Sequence, residues 1–197
     1  MRYLIAILLF SFSYIPLQAQ KDWKLEKTKG AIKAYIKDSG KAYKMYKIVC
    51  TIKAPIDKVI KKYADVAGHS AWMSDIQKSE LKAGTNPNEL VSYYEIKLPW
   101  PMENRDAVYK LTRSYDAATQ TTYFRFKAAP DLYPAKKGFI RIKISEGYWS
   151  FKKIDDKTTQ VETSSYTETD GIPAWMVNSF IIDGPIKTFE NFTKLLE

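Results

Sequence analysis

Apolar residues along the chain recur every second position, then every third or fourth, then every second again, and at the end with helical spacing once more. Residues 23–27 predict a short helical turn. Residues 30–36 alternate and predict a strand; the turn Asp38-Ser39-Gly40-Lys41 joins it to a second strand over 43–53, forming a hairpin. Within that second strand Lys47 stands between Met45 and Val49, a pattern that predicts a bulge. Ala54-Pro55-Ile56-Asp57 then opens a helix, with proline where its missing N–H costs nothing. Ile56, Val59, Ile60, Tyr63 and Val66 make one buried face; Asp57, Lys58, Lys61 and Lys62 face water. Gly68 interrupts, and residues 69–76, carrying Trp72 and Met73, predict a second short helix.

The next hundred residues predict a meander of strands at 78–83, 89–98, 106–115, 121–128, 139–145, 147–154 and 159–169. Turn signals separate them at Thr85-Asn86-Pro87-Asn88, Asp116-Ala117-Ala118-Thr119 and Asp155-Asp156-Lys157. Ile140-Arg141-Ile142-Lys143-Ile144 alternates most cleanly, with isoleucines on one face and cations on the other. From Gly171-Ile172-Pro173-Ala174-Trp175 to Leu196 the pattern is helical. Pro185 cannot donate to the carbonyl of Ile181, so the tail is kinked there or is two helices end to end. The sum is an α+β fold: a curved antiparallel sheet of eight or nine strands around one long C-terminal helix, with an internal apolar cavity between them.

Composition changes the picture at the N-terminus. Arg2, an apolar run to Ile15, Pro16 and the small Ala19 have the layout of a signal peptide, and the run is short of the roughly 20 apolar residues of a membrane-spanning helix. We expect residues 1–19 to be cleaved, leaving one domain, 20–197, of 178 residues and net charge +8. The protein is then exported, to the periplasm or the medium. The single cysteine, Cys50, excludes an internal disulfide framework and an acylated N-terminus, and it fits a small buried residue. Outside the cell the basic balance fits lysines that solvate the outer faces of strands, with transient contact with an anionic membrane surface as the alternative, and no nucleic-acid partner is expected. His69 is the only histidine, expected at a helix start near the surface, with no nucleophile elbow or HExxH near it, so neither a catalytic residue nor a metal or cofactor site is expected.

Five segments in order resemble the START (StAR-related lipid-transfer) family of the helix-grip, Bet v 1-like superfamily. They are Lys53-Ala54-Pro55-Ile56-Asp57-Lys58-Val59; Trp72; Pro99-Trp100-Pro101 with Arg105-Asp106; Gly147-Tyr148-Trp149; and Gly171-Ile172-Pro173-Ala174-Trp175-Met176-Val177-Asn178. The resemblance spans residues 22–197. It implies a hydrophobic tunnel closed by the C-terminal helix and holding one lipid or other apolar molecule. It also implies, for some members, an acid–arginine pair inside the tunnel, for which Glu95 and Arg113 are the candidates here.

Ligand pockets are lined chiefly by apolar and aromatic side chains, and the chain is 14% aromatic. The dry faces of the strands offer Tyr94, Ile96, Leu111, Arg113, Phe124, Phe126, Ile142, Trp149 and Tyr166 as ligand-binding residues; Ile144 and Phe151 share those faces. The helices add Trp72, Trp175, Ser179 and Phe180. Gly171 and Gly184-Pro185 are the expected hinges of the lid. The expected function is binding, and with it transfer, of a lipid or hydrophobic small molecule by a monomer, without enzymatic activity. Two alternatives stand beside it: an aromatase/cyclase, if Arg113, Glu95 and Tyr94 converge on a void, and an interaction module, if the cavity is filled and falls below about 300 Å³.

Overall fold

The computed structural model describes residues 23–86 and 88–197; the expected signal segment, 1–19, lies outside them. In place of the helical turn expected at 23–27 stands the first strand, β1 (Lys24–Lys29). All of its side chains are exposed, so no apolar stripe announces it. Pairing of its backbone with β2 (Ile32–Lys37) decides its conformation. Gly30, at φ +58°, makes the tight turn between them. β3 (Met45–Ile52) pairs with β2 in unbroken register, which corrects the bulge expected at Lys47. Ile48, Cys50 and Ile52 are buried on its inner face. Lys47 is on the outer face, its ammonium 4.9 Å and 5.1 Å from the ring centroids of Trp23 and Tyr35, so a cation among apolar neighbours is accounted for without a bulge.

α1 (Ile56–Ala64) starts directly after Pro55 and buries Val59 and Tyr63. A 3₁₀ turn over Val66–Ala71 follows, where a second helix was expected over 69–76. Trp72 and Met73 therefore lie beyond the turn, and Ile76 already begins β4 (Ile76–Asn86). β5 (Glu89–Ile96), β6 (Arg105–Asp116), β7 (Thr121–Ala128), β8 (Ile140–Arg141), β9 (Ile144–Asp155) and β10 (Thr158–Glu168) complete a ten-stranded sheet. Its order is β1-β2-β3-β10-β9-β7-β6-β5-β4, with the two-residue β8 parallel to the start of β6. The strand expected at 139–145 is thus split. Ile142 is buried but Ile144 is 47% exposed, because Ile144 belongs to β9, whose pairing with β10 sets Ser145 facing inward instead.

The tail is two helices end to end, α2 (Ala174–Phe180) and α3 (Asp183–Leu196). The break falls at Ile181–Ile182, before Gly184, and Pro185 sits in the first turn of α3 where it interrupts no intrahelical bond. Only α3 is gripped by the sheet. Ile186, Phe189, Phe192 and Leu196 bury its inner stripe, whereas α2 buries none of its residues. Trp149 stacks on Phe189 with centroids 5.0 Å apart, and Trp72 stacks on Phe192 at 4.3 Å. Each such ring stabilises the fold by about 1.5–3 kcal/mol through burial alone. Gly147 lets β9 and β10 lie close: a Cβ there would stand 2.1 Å from the Ser164 carbonyl oxygen. The architecture is the expected α+β helix grip.

Candidate functional site

Between the inner face of the sheet and the first half of α3 lies a cavity of about 280 Å³. Its walls are Tyr46 of β3, Tyr63 of α1, Ser92, Tyr94 and Ile96 of β5, Tyr109 of β6, Phe126 of β7 and Trp149 of β9. β10 contributes Thr163, Ser165 and Thr167, and α3 contributes Gly184, Pro185, Thr188 and Phe189. Residues 73–76 and Leu98 form its rim. Ser74 N donates to Thr188 Oγ1 at 2.9 Å, tying the rim to α3.

Of the residues expected to line it, Tyr94, Ile96, Phe126 and Trp149 do so. The others are elsewhere, for separable reasons. Phe124, with Phe151, packs against the Tyr63 ring of α1, at 5.0 Å and 5.1 Å. Leu111 is buried along the same side of β6, and Trp72 belongs to the core stack. Phe124 has the expected parity but occupies the half of the grip that α1 fills. Arg113 is exposed, its guanidinium 5.6 Å from the Phe124 ring centroid. Ile142 is buried off the ladder, its N–H donating to Asp106 O at 2.8 Å. Tyr166 is buried on the face of β10 away from the cavity, donating to Glu168 Oε1 at 2.7 Å with the Lys41 ammonium over its ring. β10 is polar on both faces, so its parity could not be read from the sequence; its unbroken pairing with β3 sets Thr163, Ser165 and Thr167 inside. Trp175, Ser179 and Phe180 lie on exposed α2, and Ser179 merely donates back to Met176 O.

The acid–arginine pair suggested for the tunnel is not formed. Glu95 accepts from Lys136 Nζ at 2.5 Å, beside Tyr93. Asp106 is held bidentately by Arg141, whose remaining N–H groups donate to the carbonyls of Pro130, Tyr133 and Pro134. Arg105 donates to Glu103 O and Asp170 O. These buried charges strap the 130–141 segment and the approach to α2 onto the sheet.

His69, expected near the surface, is 0% exposed. Its Nε2 is 2.6 Å from Tyr63 O and its Nδ1 2.9 Å from Tyr94 Oη. Burial lowers its pKa to about 4, against the opposing pull of the Tyr63 carbonyl. The ring is therefore neutral near pH 7. A carbonyl only accepts, so Nε2 carries the hydrogen and Nδ1 receives the Tyr94 O–H. The cavity phenols stay protonated as well: burial pushes Tyr46 up to about 12 and raises Tyr63, Tyr94 and Tyr109 above their ordinary value. Among the described residues no cluster of three His, Cys, Asp or Glu side chains is arranged to hold a metal.

A sheet curled around one helix, with an aromatic-walled pocket under the helix's first turns, defines a helix-grip domain. The chain belongs to the START domain family, whose profile matches residues 15–197. It is 31% identical to an uncharacterised protein of Pseudomonas aeruginosa over 90% of this chain and 88% of that one. It is 25% identical to the phosphatidylcholine transfer protein of Rattus norvegicus, over 91% and 89%. The crystal structure of a STAR-related lipid transfer protein from Xanthomonas axonopodis superposes with a TM-score of 0.82 at 29% identity, covering 89% of this chain and 98% of that one.

Proposed function

We propose that this chain binds a lipid or other hydrophobic ligand in the cavity beneath α3 and carries it between membranes, with α2 and the first turn of α3 as the gate. The observation that carries the reading is the cavity itself, about 280 Å³ walled by four tyrosines, Phe126 and Trp149, and rimmed by a segment tied to α3. Family membership and the names of the relatives support it. The gate follows from how α2 is held. It buries no side chain; Asn178 fixes it by accepting from Lys44 N at 2.9 Å and donating to Ala42 O at 3.0 Å. Such a helix can leave at the cost of a few exposed hydrogen bonds.

Membrane contact is part of the proposal. Trp100 is 93% exposed in the β5–β6 loop and Trp175 71% exposed on α2. Arg105, at the foot of that loop, donates to Asp170 O just before α2 at 2.7 Å, so the two tryptophans project from segments anchored together. Tryptophan suits the water–lipid boundary, and the net charge of +8 left after cleavage favours anionic headgroups. Export through cleavage after Ala19 belongs to the same reading. N-terminal sequencing of the secreted product checks it: Gln20 at the terminus is expected, and an intact Met1 overturns it.

Transfer of a fluorescent lipid between anionic donor and acceptor vesicles tests the function. Protein-dependent transfer, weakened by the Trp100→Ser, Trp175→Ser double variant, is expected. No transfer, together with no lipid in extracts of the native protein, refutes it. Two other readings meet particular observations. The volume lies slightly under the about 300 Å³ of small-ligand sites, which favours an interaction module that stays empty in the same extraction. The cyclase reading needed Arg113, Glu95 and Tyr94 around the void, and Tyr94 alone of these lines it; we therefore propose no reaction.

A further inference from the structure

Several hydroxyls line the cavity, and the one on β5 stands apart from the rest. Ser92 is 0% exposed, lines the cavity and has no hydrogen-bond partner for its Oγ among the described residues. A hydroxyl buried without a partner loses about 1–3 kcal/mol of stability, so an orphan facing a void marks a place where something else supplies the bond. Two residues further along the same face stands Tyr94. Ser92 Oγ is near enough to ease ionisation of that phenol, yet the two make no bond of proper geometry. Directly across the ladder from Ser92 is Tyr109, whose hydroxyl is already spent on Ser145 Oγ at 3.2 Å.

The hydrogen on Tyr94 is also assigned. It points at His69 Nδ1, because Nε2 must donate to the Tyr63 carbonyl. What Tyr94 shows the cavity is an oxygen with free lone pairs, while Ser92 still has a hydrogen to give. Among the described residues no lysine or arginine lines the cavity, and Asp75 at the rim is its one carboxylate. An anionic head would therefore meet lone pairs and no countercharge. A group that gives one hydrogen bond and takes one is satisfied on both sides, and that group is an alcohol.

Resting on the reading that the cavity holds a hydrophobic ligand, we propose that Ser92 and Tyr94 form a hydroxyl subsite, which makes the preferred ligand an uncharged alcohol with a single slender hydrocarbon body. Its O–H donates to Tyr94 Oη and its oxygen accepts from Ser92 Oγ. The volume of about 280 Å³ sets the body's size, below that of most drug-sized ligands and well short of a two-chain phospholipid in the closed form.

Calorimetric titration of the full chain with n-decanol, methyl octyl ketone and n-decanoate at neutral pH tests it. The alcohol should bind about three- to tenfold tighter than the ketone, which can use Ser92 only, and the carboxylate weakest, each difference reflecting about one hydrogen bond. Tyr94→Phe should abolish the preference for alcohol over ketone. Ser92→Ala should weaken alcohol and ketone alike, and as a small change it retains the fold if Tyr94→Phe, which strips His69 of its partner, does not. Equal binding of all three, or tightest binding of decanoate, overturns the hydroxyl subsite while leaving hydrophobic binding intact. Unaltered affinities in Ser92→Ala overturn it too. Failure of all three probes to bind overturns both the subsite and the cavity reading beneath it.

Discussion

His69 should make the fold sensitive to mild acid, well before its carboxylates titrate. The ring is buried between the Tyr63 carbonyl and the Tyr94 hydroxyl, and desolvation holds its folded-state pKa at about 4. The same side chain in an unfolded chain titrates near its ordinary value of about 6.5. The folded pKa is depressed, so as pH falls the unfolded state takes up the proton first, and stability is lost between about pH 6.5 and about pH 4. Integrated over that window the loss is about 3 kcal/mol, of which about 2 kcal/mol should be gone between pH about 7.5 and pH about 5. Urea denaturation of the wild type across that range measures it, with His69→Gln as the control. A glutamine amide can donate to the Tyr63 carbonyl and accept from Tyr94, but it takes up no proton as the pH falls. The wild-type curve should bend downward by up to about 1.4 kcal/mol per pH unit, and the variant's should stay flat. Parallel profiles for the two proteins, or an NMR titration of the His69 ring centred near 6.5, would refute the reasoning.

Asn178→Ala removes the two bonds that hold α2; stopped-flow release of a fluorescent lipid should accelerate severalfold with about 1 kcal/mol of stability lost, and unchanged release would refute the gate. Arg141→Met leaves Asp106 buried without its partner and strands three carbonyls, costing about 3–5 kcal/mol in urea denaturation. Adding Asp106→Asn should restore part of that loss; a single variant as stable as the wild type would contradict the strap. Ser165→Leu places a larger apolar side chain in the cavity. Ligand binding should fall at least tenfold while stability changes by less than about 1.5 kcal/mol, since added burial offsets crowding. Calorimetry and thermal denaturation on the same sample read both quantities, and undiminished binding would move the ligand elsewhere.

How much of this was legible depended on whether local chemistry or tertiary pairing decides each element. α1 could be read because Pro55 opens it and Val59 and Tyr63 recur at helical spacing. β2, β3 and β7 could be read from alternation, and the Gly184-Pro185 signal announced two tail helices within a few residues of the true break. β1 could not, because its conformation comes from hydrogen bonds to β2 and not from its own six exposed residues. The site was half legible. Parity picked out Tyr94, Ile96, Phe126 and Trp149, and failed at Tyr166, where a strand polar on both sides gives no clue to its inner face. It also could not tell how far along each strand the cavity lies, so Phe124 has the right direction at the wrong depth. Tyr46 and Tyr109 belonged to strands already drawn and were accessible to the same parity argument. The seclusion of His69 was not, since a helix expected over 69–76 would have turned it toward water instead of into the 3₁₀ turn.

Aromatic content led to the expectation of a cavity, yet aromatic rings alone do not leave one. On the α1 side of the grip Phe124, Phe151 and Tyr63 meet ring against ring and close the interior. On the other side the inward positions are Ser92, Gly147, Thr163, Ser165 and Thr167, side chains too short to reach α3. The void is the volume those small residues decline to fill, and the tyrosines and Trp149 only give it walls. A sheet built for stability alone would set larger apolar groups there, because close packing is worth more than a gap. The small residues also account for polarity, since each carries a hydroxyl or no side chain at all. Most of those hydroxyls are occupied: Thr163 on the Tyr148 carbonyl, and Thr167 with Ser145 and Ser165. Ser92 is the exception, so the residue pattern that opens the space also leaves within it one hydroxyl without a partner among the described residues.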